Sequence, residues 1–405
     1  MKISKSKITF IFVIFCLSQI LFGFIYSDDL YFKYNTELLN NPFEFLINLT
    51  KSWGAQGRLT PLMFGIIIVS TKYLSILQYK FYLAILNITA LYSFAKLLKK
   101  LNPAFDFNLW VFFFFALFQF QLGYHCAFNS FNGMYPLLTL FISYSAFYIL
   151  EYIESGKTTH KIYSLIFYFL ALMIIEISLI TPLILLFITY IKTSNIRKSL
   201  YINKENIIMT ILFISISLFL KSQMHFKMNY IGLQTHFEIR SILKTYLIQT
   251  SSSLPLIYLY KQKNILYNLI TPIKTYWMYF ATSLILFFTF FKINLKNTLN
   301  QYTKNNHILL LLGLILWLVP PVLISVSAKY QSELYLGRGY ITLYIQNFGL
   351  ATILYSLYYF IRSEYLKKGL ILILFIIIFI NLSYNFHLIE EATEKSYRIL
   401  KEINP

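Results

Sequence analysis

The sequence is poor in charge, and poorest in negative charge. Only 13% of its 405 residues are Asp, Glu, Lys or Arg, about half the roughly 25% of a soluble globular chain. Most of the length therefore has no surface to offer to water, which excludes an ordinary soluble protein. Cysteine is nearly absent: Cys16 and Cys126 each lie in or beside an apolar run, with neither a disulfide framework nor metal-ligand spacing. No internal repeat, low-complexity linker or soluble domain interrupts the chain, which reads as one membrane domain over 1–405. A small-residue cleavage site is missing as well. Lys2, Lys5 and Lys7 precede a long apolar run that ends in Tyr26-Ser27-Asp28-Asp29, so the run is expected to remain as a first span.

What is abundant is apolar and aromatic surface: 58% hydrophobic residues, 19% aromatics and a mean hydropathy of +0.61. Such a composition suits lipid-facing walls and interfacial belts of Tyr and Trp. The formal net charge of +19 comes from Lys and Arg scattered in short clusters between apolar runs. That pattern fits anionic headgroups and lipid-linked phosphates rather than nucleic acid.

A crossing needs roughly 20 apolar residues. Segments 8–26, 107–123, 308–327, 340–361 and 369–389 meet this, and 81–95, 135–150, 207–220 and 276–291 are shorter spans that flanking lysines extend. The run 162–191 would be roughly 45 Å long as one helix, too much for a single crossing. Glu176 and Thr181-Pro182 lie near its middle, and two short spans meeting there are expected. The predicted fold is all-α: a polytopic membrane protein of about eleven transmembrane helices. Its first outer loop, 27–80, would hold interfacial helices over 40–50 and 59–77. A long, mildly amphipathic outer segment follows at 221–275. With that segment set aside, Lys and Arg concentrate in the inner segments, which orients the N-terminus inside.

Several polar groups stand out against this background. Asp28 and Asp29 directly follow the first span. Adjacent carboxylates at a membrane surface can take a proton from an acceptor hydroxyl or hold a divalent cation, and the residues leave both roles open; the plain alternative is a pair of acids at a helix start. About 25 residues further on, Trp53-Gly54-Ala55-Gln56-Gly57-Arg58 joins an indole, two glycines and a guanidinium able to grip a phosphate with two hydrogen bonds. Glu176 is ionisable at membrane depth, which costs about 2.5 kcal/mol or more and calls for a cavity or a partner. Arg338 stands between Gly337 and Gly339 at the mouth of a span, with Lys329 nearby as a second phosphate candidate. The turn holding Tyr124, His125, Asn129 and Asn132 offers amides and an aromatic ring to sugar hydroxyls. His225, His236 and His307 have no partners at ligand spacing.

A first span ending in an acidic pair, an outer loop with Trp53 and Gly57-Arg58, and many further spans resemble the GT-C superfamily of integral membrane glycosyltransferases. The resemblance is closest to the bacterial serotype-converting glucosyltransferase families. It implies a polyprenyl-phosphate sugar donor, a cell-envelope glycan or glycolipid acceptor such as lipopolysaccharide, and an active site on the extracytoplasmic face of the inner (plasma) membrane. By resemblance Asp28 or Asp29 is the base, Arg58 and Arg338 neutralise the leaving phosphate, and no cofactor beyond an optional divalent cation is implied. The chain lacks the large soluble outer domain of some members, and Glu176 stands where relatives often carry lysine. Two other classes compete. An O-antigen polymerase would put its catalytic weight on Lys221, Lys227, Arg240 and Lys244 in 221–275. A non-enzymatic transporter or flippase of lipid-linked sugars would line several spans with charge, which this chain does not.

Overall fold

The computed structural model describes residues 5–25, 28–37, 41–54, 58–120, 126–222, 238–261, 264–295, 305–339 and 342–403. Every regular element among them is helical. The first outer region follows α1 (Lys5–Ser18) and comprises α2 (Asp28–Glu37), α3 (Pro42–Gly54) and α4 (Pro61–Lys72). The middle of the chain builds α5 (Ile76–Leu101), α6 (Phe107–Ala116), α7 (Met134–Ser155), α8 (Thr158–Leu172), α9 (Thr181–Thr193), α10 (Ile196–Ile202) and α11 (Lys204–Ser222). Then come α12 (Ile239–Ser251), α13 (Ile265–Thr275) and α14 (Trp277–Leu295). The chain closes with α15 (Asn306–Leu318), α16 (Pro320–Ser325), α17 (Ala328–Glu333), α18 (Leu343–Phe360) and α19 (Glu364–Ile403).

Five helices among the described residues are long and apolar enough to cross a membrane: Ile76–Leu101, Phe131–Ser155, Glu176–Thr193, Asn306–Ser325 and Glu364–Ile399. A sixth results if Ile196–Ile202 and Lys204–Leu220, bent by 63°, count as one broken span. Large apolar side chains are exposed along these walls, among them Phe81 and Ile85 on α5, Ile211 and Leu218 on α11, and Ile373 and Ile376 on α19. Apolar surface on this scale requires lipid around it, and the chain is a membrane protein. These five or six fall short of the eleven crossings expected from hydropathy, and adding the shorter apolar helices Ser6–Leu21, Pro61–Lys72, Phe107–Ala116 and Trp277–Phe290 brings the described residues to ten at most.

Helix α18 is central and buried on almost every side. Its Gly349 meets Gly313 of α15 so closely that a Cβ on either would lie 2.7 Å from the other's carbonyl oxygen. Small residues at such crossings let backbones touch. The run 162–191 breaks as its composition suggested: α8 stops at Leu172, a 3₁₀ turn spans Glu176–Ile180, and α9 restarts with Pro182 in its first turn. The first span is shorter than 8–26. It ends because Gly23 takes a left-handed φ of 74° against α19, where a Cβ would come 2.4 Å from Ile389 Cγ2.

The largest departure is at 107–123, where α6 lasts only ten residues. Carbonyls freed by the break receive amide donors from two distant helices: Asn381 to Ala116 O (2.9 Å), Asn347 to Leu117 O (3.3 Å) and Asn385 to Phe118 O (3.1 Å). Asn385 also accepts from Phe120 N at 2.7 Å, so one side chain replaces a helical turn. Non-helical backbone at membrane depth persists only when it is satisfied inside the protein in this way.

Candidate functional site

The first outer region folds onto the bundle through α4, and two polar clusters form at its opposite ends. At the C-terminal end, Thr71 Oγ1 lies 2.9 Å from Thr36 Oγ1 of α2, and Lys33 donates to Thr71 O at 3.1 Å. This contact pins the C-terminal half of α2, whose first turn carries Asp28 and Asp29, where the helix dipole favours negative charge. The two acids then part company. Asp28 is exposed, and Asp29 is buried with 1% of its surface accessible.

Asp29 is held by groups from two other elements, one of them braced by a third. Tyr79 of α5 donates its hydroxyl to Oδ2, and Asn132 donates to Oδ1 from its backbone N at 3.2 Å and from Nδ2 at 3.1 Å. Ser70 of α4 donates to Asn132 Oδ1 at 3.2 Å, which fixes that amide's orientation. Burial pushes the Asp29 carboxyl up to about 7, the hydrogen bonds of Tyr79 and Asn132 and the charge of nearby Lys80 offsetting only part of the rise. Phe131, Asn132 and Gly133 carry successive φ values of 58°, 53° and 73°. Left-handed backbone at two consecutive non-glycine residues costs of order 1–3 kcal/mol each and concentrates at functional sites. Here it aims the Asn132 N–H at Asp29.

At the other end of α4, the N–H groups of Leu62 and Met63 both reach Met173 O, at 3.1 and 3.4 Å. That anchorage brings Arg58 beside the Glu176 turn. Arg58 Nε lies 2.6 Å from Glu176 Oε1 and Nη2 lies 3.1 Å from Oε2, a two-pronged pair. The guanidinium also sits 4.4 Å from the Trp53 ring centroid, and Arg58 N donates to Trp53 O at 2.9 Å. Trp53 and Arg58, which the sequence marked as one motif, and Glu176, which it marked separately, therefore make one unit. Arg58 is the partner that the depth of Glu176 demanded.

The late segment forms a third group. The 3₁₀ turn Glu176–Ile180 packs against α16, which leads into the short helix carrying Lys329. Tyr335 and Arg338 close a tight turn, with Arg338 N donating to Tyr335 O at 2.9 Å and Gly337 at φ 86°. The Arg338 guanidinium lies 5.7 Å from the Tyr335 ring and reaches Glu333 O at 3.5 Å; its Nε is buried and makes no hydrogen bond among the described residues. Asn129 is buried beside the strained turn, bonded through its backbone N to Cys126 O at 3.3 Å. Tyr124 and His125 lie outside the described residues.

The candidates are thus gathered in pairs and triples rather than around one point. A helix rises about 1.5 Å per residue, so Leu62 and Thr71 are about 14 Å apart along α4. That length separates the Asp29 cluster from the Arg58–Glu176 pair. Among the described residues no three His, Cys, Asp or Glu side chains gather as a metal site would require. Asp29 is also a poor cation ligand as it stands, because hydrogen-bond donors point at both of its oxygens.

Tyr79, Lys80 and Ser70 belong to the Asp29 cluster and were not singled out from the sequence. Lys80 closes the expected outer loop 27–80, just ahead of the span expected from 81, yet it is buried within α5. The signal was present: Ser75 and Gln78 form a capping box, Gln78 N donating to Ser75 Oγ at 3.3 Å and Ser75 N to Gln78 Oε1 at 2.9 Å. A helix beginning at Ile76 carries Tyr79 and Lys80 inside its first turns. No family model, curated protein or solved structure matches the chain.

Proposed function

We propose that this chain is a multi-pass glycosyltransferase of the plasma membrane, with about eleven crossings. It would move a sugar from a polyprenyl-phosphate donor to a cell-envelope glycan or glycolipid on the extracytoplasmic face. The observation that carries this reading is the state of Asp29. A carboxyl with its pKa near 7 is matched to general-base work at neutral pH, when an ordinary aspartate is too weak a base to be efficient.

In this reading the acceptor hydroxyl displaces Tyr79 from Asp29 and gives up its proton to the carboxylate. Its oxygen attacks the anomeric carbon as the bond to the carrier phosphate breaks, inverting the centre in a single displacement. The leaving phosphate takes the bonding electrons, and its charge falls to Arg338, whose Nε has a donor to offer, with Lys329 of α17 as the second candidate cation. Arg58 joins only by exchanging the Glu176 carboxylate for the phosphate, two anions of similar bidentate geometry. Asp28, exposed on the same turn, faces the approaching acceptor. Rate enhancement would rest on positioning and on charge stabilisation of the leaving group.

The test is glycan analysis of a strain lacking the gene, rescued by wild type, Asp29→Asn, Asp28→Asn or Arg240→Ala. Asp29→Asn preserves shape and is expected to lower transfer by about 10²–10⁴-fold while accumulating normally in the membrane. Asp28→Asn and Arg240→Ala should retain most activity. Loss with Arg240→Ala alone would transfer the assignment to a polymerase, whose weight would lie on the exposed face of α12. Unchanged glycans in the null strain would remove the transferase reading.

A further inference from the structure

At the opposite end of the bundle a cavity of about 450 Å³ opens between the last turns of α5 and α7 and the start of α6. Tyr92, Phe105, Phe107 and Phe147 wall it, and Lys96 and Lys99 stand at its rim. The rings are ordered against one another and against the cation. Tyr92 and Phe107 have centroids 4.9 Å apart, and Lys96 Nζ lies 4.2 Å from the Phe147 centroid. Two carboxylates are near, but both are engaged. Glu151 pairs with Lys100 at 2.7 Å, and Glu154 pairs with Lys100 at 2.6 Å and Lys192 at 3.2 Å. No ion pair among the described residues engages Lys96 or Lys99, so the rim keeps their positive charge.

A second feature points to the form in which a negative charge would arrive. Beyond Gln78 the exposed positions on α5 run Phe81, Ile85, Thr89, Tyr92, Lys96 and Lys99, spaced by three or four residues and hence on one face. An apolar track therefore leads along the span and ends at the two ammonium groups. From Ile85 to Lys96 the helix rises about 16 Å, close to half of the roughly 30 Å hydrocarbon core. A free phosphate ion has no use for such a track; an acyl chain does.

We propose that this cavity is a binding site for an anionic phospholipid, its phosphate between Lys96 and Lys99 and an acyl chain along the Ile85–Tyr92 face of α5. The site is separate from the Asp29 and Arg58 clusters and does not depend on the transferase reading. Each lysine near a membrane surface contributes about fivefold in affinity for an anionic lipid.

The experiment uses the full-length protein in nanodiscs, labelled with photoreactive phosphatidylglycerol or phosphatidylcholine and mapped by peptide mass spectrometry. Phosphatidylglycerol should label residues 92–107 preferentially. Labelling should fall about 25-fold in Lys96→Gln/Lys99→Gln and persist in Lys157→Gln/Lys198→Gln, which removes the same charge from exposed positions outside the cavity. Millimolar inorganic phosphate should not compete. Equal labelling by the zwitterionic lipid, or equal loss in both double variants, would overturn the site. Displacement by inorganic phosphate would make it a phosphate-ion site and overturn the lipid assignment. Both doubly substituted chains replace exposed side chains only, and unchanged thermal unfolding checks that each is folded.

Discussion

At the end of the bundle where α5, α7 and α9 finish, lysines and glutamates meet in pairs that water still reaches. Lys100 keeps 23% of its side-chain surface, Glu151 27% and Glu154 41%. At the end that holds α2 to α4, Lys33 and Glu37 make another such pair, but two charges are set among fixed dipoles: Asp29 is sealed in, and Arg58 keeps only 15%. The contrast lies in what solvates the charge. Water screens the first set and makes each partner replaceable; in the second, protein groups substitute for water and any loss leaves a desolvated charge behind. Groups of the second kind can have their protonation or their ligands changed by a substrate, which is why the functional proposal rests on them.

The largest expected contrast is in pH dependence. The Asp29 carboxyl titrates near 7 in the folded chain and near 4 when unfolded, so between these values the folded chain binds more protons. Its contribution to stability is therefore complete below about pH 4 and declines as pH rises to about 7, by at most about 4 kcal/mol in total. Activity should move the opposite way, rising as the base ionises. Thermal unfolding in detergent across this range should show the decline in wild type and lose it in Asp29→Asn. A wild-type profile as flat as the variant's would place Asp29 with the water-screened charges.

Next in size is the Arg58–Glu176 pair. Glu176→Ala should cost about 1–3 kcal/mol, below the 3–5 typical of a fully buried pair because 35% of the Glu176 side chain remains exposed. A double-mutant cycle with Arg58→Ala isolates the coupling. A coupling below about 0.5 kcal/mol would make the pair no stronger than its counterparts at the other end.

These differences also mark what could be read from the residues alone. The length of apolar runs located the long helices, and a polar interruption located the break at Glu176, because both are local properties. The pairing of Glu176 with Arg58 was not local: 118 positions separate them. The early end of α6 was hidden for the same reason. Phe107–Ala116 and the residues after it form an apolar run, and the break is stable only because Asn347, Asn381 and Asn385 supply amides from more than 200 residues away. Asp29 drew notice for its place after a span, but the partners that tune it come from α5 and from the strained turn at Asn132. Hydropathy marks where polar atoms are costly, and only the packed helices show which polar atoms offset that cost.

The smallest effect expected is at Lys100, where the comparison is most easily broken. Lys100→Ala removes both short contacts to Glu151 and Glu154 at once, and a count of ion pairs would make this the more damaging substitution. The physical expectation is the reverse, about 0.5 kcal/mol. Glu154 keeps Lys192 at 3.2 Å, and both carboxylates can turn to water without being stranded. The loss should shrink further as salt is raised, since exposed pairs are screened over about 8 Å at physiological ionic strength, whereas the Glu176→Ala effect should change little. Unfolding measured for both variants at low and high salt decides the matter. If Lys100→Ala proved as costly as Glu176→Ala and equally indifferent to salt, exposure would not be what separates the two ends, and the buried charges would lose their special standing.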